Sequence, residues 1–278
     1  MSVTAQDVKK LREVTGVGMM DCKKALVEAK GDFEKAIEIL RKKGQKVAAK
    51  RADKEANEGM AVAITSEDYS KGVVVLVNSE TDFVAKNEDF QKAVHAIAKA
   101  ALQAFPASKD ELLAVPVSTG ETVSKLLEEL TARIGEKIVL GGYERLTAPT
   151  VVAYNHLNYK IGVLVGLNVT PSDGTIEVGR DVAMQVAAMR PIAVDKDDVP
   201  ANILEKEMEI AREQVRQMGK PEHLIDRIAQ GKLNKFFQEN TLLNQEFVKD
   251  SSQKVRDYVR TKLGNEATVS GFVRLGIA

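Results

Sequence analysis

The chain contains no tryptophan and a single cysteine, Cys22, among its 278 residues. One cysteine excludes an intrachain disulfide and is typical of a protein from a reducing compartment. The N-terminus lacks the uninterrupted apolar stretch of a signal peptide, and no segment approaches the roughly eighteen apolar residues of a membrane span. These absences predict a cytoplasmic protein with no membrane partner.

Neither sign of charge is in excess, because 40 basic residues balance 40 acidic residues. The total charge therefore does not draw the molecule to DNA, and we expect no direct nucleic-acid partner. One basic run, residues 41–51, has the charge to touch RNA, so a translation-associated RNA-binding adaptor stays open as an alternative. The run has no interleaved aromatic residues to stack on bases, which favours a solvated linker.

Residue types that carry catalysis are sparse and scattered. The three histidines, His95, His156 and His223, fall in different predicted elements and show no metal-ligand spacing with Cys22. Neither a phosphate-loop motif nor a nucleophile elbow is present. We therefore predict that the protein is not an enzyme and uses no cofactor or metal. An enzyme whose pocket joins His156 to carboxylates of the second half remains the alternative.

The first part of the chain, residues 1–44, is predicted to form a compact module of three short helices. Thr4 and Asp7 match a capping box before the first helix, and apolar residues then recur at helical spacing. Asp32 is placed to cap the third helix, which we expect to end before Gly44.

Residues 45–58 are rich in charge and poor in large apolar groups, which suits an exposed linker. The segment from residue 62 then recurs ninety residues later without a gap, which favours duplication. Identical pairs include Val62 with Val152, Ala63 with Ala153, Tyr69 with Tyr159, Val75 with Val165, and Ala93 with Ala183. We predict an α+β fold with two related lobes, each an antiparallel sheet with helices, at residues 59–147 and 148–278.

A different pattern begins at residue 201, where apolar residues alternate steps of four and three, the seam of a coiled coil. The seam residues are Leu204, Met208, Ala211, Val215 and Met218. After a Gly-Lys-Pro turn, a returning helix carries a less regular apolar face of Leu224, Ile228 and Phe236. The pattern predicts an antiparallel helical hairpin at residues 201–240, projecting from the second lobe, and a final strand near 268–275 that closes the second sheet.

A large apolar residue, Phe83, stands among charged neighbours in the loop NSETDFVAKNEDF, residues 78–90. The corresponding loop of the second lobe reads NVTPSDGTIEVG, so shared architecture does not require this aromatic residue. Two interpretations stay open: Phe83 folds back on its own lobe as a staple, or it is an exposed anchor that enters a partner's pocket.

Five motifs resemble those of the bacterial elongation factor Ts family, in the same order and nearly end to end. They are LREVTGVGMMDCKKAL (11–26), TDFVAKNEDF (81–90), ARIGEKI (132–138), YNHLNYKIGVLV (154–165) and GKPEHLIDRIAQGKLNKFF (219–237). The first two are highly specific. The resemblance implies a three-helix module like a ubiquitin-associated (UBA) domain, a core of two related lobes, and a projecting coiled coil.

The resemblance also implies a function, guanine nucleotide exchange on elongation factor Tu, the GTPase that delivers aminoacyl-tRNA. In the family the TDFVAK segment enters the partner's G domain near its magnesium and phosphate site. Asp82 and Phe83 occupy the matching positions, with Phe83 as the wedge, and Thr81 and Val84 flank them.

Further partner contacts are implied at other matched positions. Ile134 and Gly135 look like supporting contacts beside the wedge, and His156 occupies a contact position on the second lobe. The matching contacts of the N-terminal module fall on Met19, Met20 and Lys23.

Two departures from the family pattern are visible. The family commonly continues past the last strand with a Gly-Glu-Gly stretch that leads to a further contact, whereas this sequence stops at FVRLGIA, and that contact is not carried over. The arginine pair frequent after the IGE motif is replaced by VLGGYER, so no function is assigned to Gly141 or Gly142. A single copy, a homodimer and a heterotetramer with the partner all stay open.

Overall fold

The computed structural model describes residues 3–51 and 53–277. The first two residues of the predicted N-terminal module, Ala52 of the predicted linker and the last residue of the predicted second lobe lie outside this part of the chain. Within it, helices are combined with small antiparallel sheets, which confirms the α+β class.

The helices are α1 (Ala5–Thr15), α2 (Met19–Glu28), α3 (Phe33–Lys50), α4 (Asp82–Ala85), α5 (Glu88–Ala104), α6 (Lys109–Ala114), α7 (Val123–Ile134), α8 (Asp173–Met189), α9 (Ala201–Gln217), α10 (Glu222–Asn240) and α11 (Val255–Leu263). The strands are β1 (Glu58–Thr65), β2 (Lys71–Ser79), β3 (Val139–Thr147), β4 (Thr150–His156), β5 (Ile161–Leu167), β6 (Glu246–Phe247), β7 (Asp250–Lys254) and β8 (Val269–Gly276). One sheet has the order β1-β2-β3 and the other β4-β5-β8, while β6 and β7 form a separate ribbon.

Local signals account for where α1 and α3 begin. The capping box is present, because Thr4 Oγ1 accepts a hydrogen bond from Asp7 N at 3.2 Å and Asp7 Oδ2 accepts one from Thr4 N at 3.0 Å. Asp32 caps α3 as predicted, since its Oδ1 accepts from Lys35 N at 3.1 Å. The three helices enclose a small core that includes Leu11 and Leu26.

Helix α3 departs from the prediction, because it does not end before Gly44 but runs to Lys50, over the first part of the predicted 45–58 linker. Gly44 is buried, and a Cβ atom there would lie 2.3 Å from the Cβ of Ala132 on α7. The glycine permits close approach of α3 to α7 instead of terminating its own helix. The N-terminal helices are thereby packed against the first lobe.

The predicted duplication is visible in the strands. Val62 pairs with Val75 across β1 and β2, and Val152 pairs with Val165 across β4 and β5, ninety residues later. The register shifts between Leu76 and Val77 in the first sheet and between Gly166 and Leu167 in the second, at matching positions. The final strand β8 closes the second sheet beside β5, as predicted.

The ungapped repeat is wrong at the helices, however. Helices α5 and α8 are both 17 residues long, but their N-caps, Asn87 and Ser172, are offset by 85 residues. Ala93 therefore corresponds to Val178, not to Ala183. The first lobe has five additional residues between its second strand and its long helix, and the short helix α4, which contains Phe83, lies in this longer connection.

The two sheets pack on each other with near-reciprocal contacts. Ala61 N donates to Tyr159 O at 2.7 Å, and Val151 N donates to Tyr69 O at 2.6 Å, which are equivalent contacts at an offset of ninety residues. An apolar layer between the lobes includes Ala63, Val74, Val151 and Leu164. This layer joins the two lobes and is separate from the core of each lobe.

Helices α9 and α10 form the antiparallel pair expected at 201–240 and pack mainly against each other. On α9, Ala211 and Val215 of the predicted seam are buried, whereas Met218 is exposed. The residues predicted for the inner face of α10, Leu224, Ile228 and Phe236, are only half-buried. The buried residues of α10 are Ile225, Ala229 and Leu233, because α10 meets α9 through a stripe with steps of four.

Among residues 3–51 and 53–277, no helix combines the length and apolar character that crossing a bilayer requires.

Candidate partner-binding site

The loop that carries Phe83 begins where strand β2 ends. Ser79 is fully buried and its hydroxyl donates to Thr81 O at 2.9 Å. The chain then makes the single helical turn α4, and Asn87 caps the next helix by accepting hydrogen bonds from Asp89 N and Phe90 N. Strand end and helix cap therefore hold the segment at both ends.

Within this turn, Val84 and Phe83 point to different environments. Val84 is buried and packs into the core of the first lobe. Phe83 is 78% exposed, so the interpretation of Phe83 as a staple on its own lobe is wrong. One buried apolar side chain anchors the turn while its neighbour presents an aromatic ring to solvent.

Two charged residues flank the exposed ring. Lys86 Nζ donates to Asp82 Oδ2 at 2.7 Å across one turn, and this hydrogen bond lowers the pKa of the Asp82 carboxyl. The same ammonium lies 5.7 Å from the centroid of the Phe83 ring, within range of a cation–π contact. The pair is largely exposed and is accessible to a partner.

The carboxylate of Glu136 holds the start of the segment. Its Oε2 accepts from Thr81 N at 3.0 Å and its Oε1 accepts from Thr81 Oγ1 at 2.8 Å. Next to it, Glu80 Oε1 accepts from Lys137 N at 2.7 Å, and Glu80 Oε2 accepts from Arg51 at 2.9 Å. Sequence reasoning did not assign a role to Glu80 or Glu136, although Glu136 follows Gly135 directly in the ARIGEKI motif.

The two predicted supporting residues lie at the end of α7. Ile134 is half-buried against the core of the first lobe. Gly135 ends the helix with φ 84°, a left-handed conformation that favours glycine, and its N–H donates to Thr131 O. This turn directs the chain toward Thr81, because Glu136 is the next residue.

The other predicted contacts lie on separate elements. His156 is half-buried at the end of β4, where its Nδ1 lies 2.9 Å from the hydroxyl of Tyr154. Met19, Met20 and Lys23 are exposed on the first turns of α2. The structure thus brings Thr81, Asp82, Phe83, Val84, Ile134 and Gly135 to one end of the first lobe, and does not join them to the predicted positions on α2.

No group of three or more histidine, cysteine, aspartate or glutamate side chains that could hold a metal occurs in the part of the chain described. What the site offers is an exposed aromatic ring, a charged pair and a firmly held backbone. This combination suits insertion into a pocket of another protein.

The fold and this site together define a class of protein, an α+β protein of two similar lobes that presents an exposed aromatic residue on an ordered turn. Residues 80–278 match the family model described as Elongation factor TS. The chain is also 48% identical over 275 residues to the elongation factor Ts of Amoebophilus asiaticus (strain 5a2), with 99% of each chain covered. It belongs to the elongation factor Ts family.

Two further relatives agree with this assignment. The elongation factor Ts of Christiangramia forsetii is 51% identical over 259 residues, which cover 93% of each chain. The elongation factor Ts of Cytophaga hutchinsonii is 48% identical over 277 residues, which cover 100% of this chain and 99% of that one.

Proposed function

We propose that this protein is a guanine nucleotide exchange factor for elongation factor Tu in translation elongation, and that it promotes GDP release by inserting the TDFVAK segment near the partner's magnesium and phosphate site. Membership of the elongation factor Ts family implies the exchange function. The insertion step is supported by one observation, the exposure of Phe83 on an ordered turn. Val84 anchors this turn in the core, and hydrogen bonds to Asn87 and Glu136 hold its two ends.

The proposed mechanism requires no bond making by this protein. GDP on the GTPase is held by phosphate contacts and a magnesium ion, so displacing the protein segments that position those groups accelerates nucleotide loss. Binding of the exchange factor supplies the free energy for that displacement. By thermodynamic linkage, GDP and the exchange factor weaken each other's binding by the same factor, so each expels the other.

A phenylalanine is well suited to the wedge. Burying its ring in a partner's pocket contributes roughly 2 to 3 kcal/mol from apolar area, and few rotatable bonds are frozen in doing so. The turn that bears it is already ordered by its hydrogen bonds, so little additional ordering cost falls on binding.

The remaining predicted contacts form part of the same proposal. Ile134 and Gly135 would support the wedge, and His156 would meet another domain of the partner. The N-terminal helices, proposed to be a UBA-like module, would contact the G domain through Met19, Met20 and Lys23. The pair α9 and α10 is proposed to be a coiled coil. We further propose that the protein acts in the cytoplasm, without a cofactor and without chemistry of its own.

The wedge is tested by stopped-flow release of fluorescent GDP from elongation factor Tu, with the wild type and with Phe83→Ala. We expect the maximal release rate to fall at least about tenfold, because truncation of a central aromatic anchor commonly costs more than 1 kcal/mol. The melting temperature should not change, since the ring is 78% exposed. Val248→Ala, at another exposed apolar residue, is the matched control and should exchange normally.

The outcomes separate the two parts of the proposal. Equal maximal rates of GDP release for the wild type and Phe83→Ala would contradict the insertion of Phe83 but not the exchange function. A wild-type chain that does not accelerate GDP release at all would remove the exchange function itself.

A further inference from the structure

The duplicated lobes provide an internal comparison of two equivalent hairpin turns. Residues 66–70 join β1 to β2, and residues 157–160, equivalent to residues 67–70, join β4 to β5. Tyr69 and Tyr159 are left-handed in both, with φ 57° and 65°, and their carbonyls accept the reciprocal hydrogen bonds that join the lobes. Left-handed backbone at this one position is therefore a shared requirement of the fold.

The second turn contains two further left-handed residues that the first lacks. Leu157 has φ 49° and Asn158 has φ 51°, whereas Glu67 and Asp68 have no positive φ. Asparagine adopts this conformation with some ease, but a leucine there is uncommon. The first turn makes the same contact between lobes without it, so the fold does not require a left-handed leucine.

Leu157 is 62% exposed, so burial of its side chain does not offset the free-energy cost of its left-handed backbone. An equivalent turn stabilised by polar groups is available to the same fold. In the first lobe, Asp68 accepts hydrogen bonds from Ser66 and Ser70 and is itself exposed. Residues with a strained backbone conformation are concentrated at functional sites, where the strain serves binding or catalysis and not the fold.

The turn that bears Leu157 adjoins the segment that bears Phe83. Lys160 Nζ lies 3.8 Å from Glu58 Oε2, and Glu58 pairs with Ser79 at the end of β2, two residues before Thr81. Together with the hydrogen bond from Lys86, the charge of Lys160 lowers the pKa of Asp82. The turn of the second lobe therefore stands beside the wedge of the first.

We propose that Leu157 is a second apolar anchor, inserted into an apolar pocket of the same GTPase that the Phe83 segment enters. The inference rests on the proposed exchange function and extends it. Phe83 acts at the nucleotide site and determines how fast GDP leaves, whereas Leu157 contributes affinity from the second lobe. The two lobes thus each place one exposed apolar side chain at adjoining positions.

The test uses the full-length chain and the variant Leu157→Gly. Glycine removes the apolar side chain and also relieves the left-handed strain. We expect the melting temperature to stay equal or to rise, while the concentration of exchange factor that half-saturates GDP release increases about tenfold. The maximal release rate should remain close to that of the wild type, in contrast to Phe83→Ala.

Two further variants make the result specific. Leu157→Met keeps an apolar side chain of similar volume and should retain at least half of the wild-type affinity. Glu67→Gly makes the matching change in the turn of the first lobe and should leave the half-saturating concentration unchanged.

The proposal is overturned if Leu157→Gly has the half-saturating concentration of the wild type, or if it unfolds at a lower temperature, which would assign the leucine to the fold. A wild-type chain without exchange activity would remove this inference together with the proposed function. A wild-type chain with full activity and an unaffected Leu157→Gly variant would remove this inference alone.

Discussion

At the scale of single residues, Glu136 connects two segments that are 55 positions apart in the chain. Its carboxylate accepts from both the backbone N–H and the hydroxyl of Thr81, the residue that precedes the turn bearing Phe83. Hydrogen bonds to a charged acceptor are stronger than those between neutral groups. Glu136 therefore fixes the position from which the aromatic ring projects.

Glu136→Gln tests this positioning role. Glutamine is neutral and replaces one carboxylate oxygen with an amide that donates to the Thr81 hydroxyl, so both contacts become weaker hydrogen bonds between neutral groups. We expect the maximal rate of GDP release to fall about threefold to tenfold, with the free energy of unfolding changed by about 1 kcal/mol. Glu128→Gln, at an exposed position on α7, is the control and should have no effect.

A double-mutant cycle identifies how Glu136 acts. If it acts through Phe83, Glu136→Gln should cause little further loss in a Phe83→Ala background. Additive losses in the double variant would instead show that Glu136 has an independent role.

At the scale of elements, helix α7 connects the N-terminal helices to the site. Ala132 meets Gly44 of α3, and the last turn of α7 leads through Gly135 to Glu136. Helix α7 therefore carries the contact that positions the N-terminal helices, and the turn directly after it carries Glu136, which positions the Phe83 segment. The orientation of the two regions relative to each other depends on how closely α3 and α7 approach.

Gly44→Ala measures this packing. Helix propensity alone predicts stabilisation by about 1 kcal/mol, whereas the new methyl group would stand 2.3 Å from the Cβ of Ala132. We expect the clash to dominate, with a net destabilisation of about 1 to 3 kcal/mol in urea unfolding.

A compensating change provides the control. In Gly44→Ala combined with Ala132→Gly, the methyl group is moved from one helix to the other, and most of the lost stability should return. A stabilised Gly44→Ala variant, or a double variant no better than the single one, would contradict the close approach of α3 to α7.

At the scale of the whole molecule, the two lobes are held together by polar as well as apolar contacts. Asn155 Oδ1 accepts from Ala63 N at 2.8 Å, and Asn155 Nδ2 donates to Ala63 O at 3.0 Å. Ala63 is buried, so water does not readily replace these bonds. A side chain of the second lobe thereby extends the hydrogen bonding of strand β1 in the first.

Asn155→Ala should weaken this junction. It leaves a buried N–H and a buried C=O of Ala63 without their partners, and we expect a loss of about 2 kcal/mol in the free energy of unfolding. Thr65→Ala, at the equivalent position ninety residues earlier, is the matched control and should cost less than half as much. An unchanged midpoint in urea would show that the lobes are not coupled through Asn155.

Several features could be predicted from sequence because they depend on neighbouring residues. The capping box at Thr4 and the cap at Asp32 are local hydrogen bonds, and the periodicity of each segment distinguished helices from strands. Identical residues ninety positions apart predicted a duplicated segment, and the equivalent pairing of Val62 with Val75 and of Val152 with Val165 confirms it for the strands.

Other features were decided only by tertiary contacts between distant segments. In the sequence, Gly44 indicates the end of a helix, and only its contact with Ala132 shows that the helix continues. Likewise, the position of α9 determines which face of α10 is buried. The exposure of Phe83 likewise could not be read from the sequence, because a staple and an anchor have the same residue pattern. Local chemistry determined the elements of this protein, whereas burial is a property of the assembled chain and determined which residues remain available to a partner.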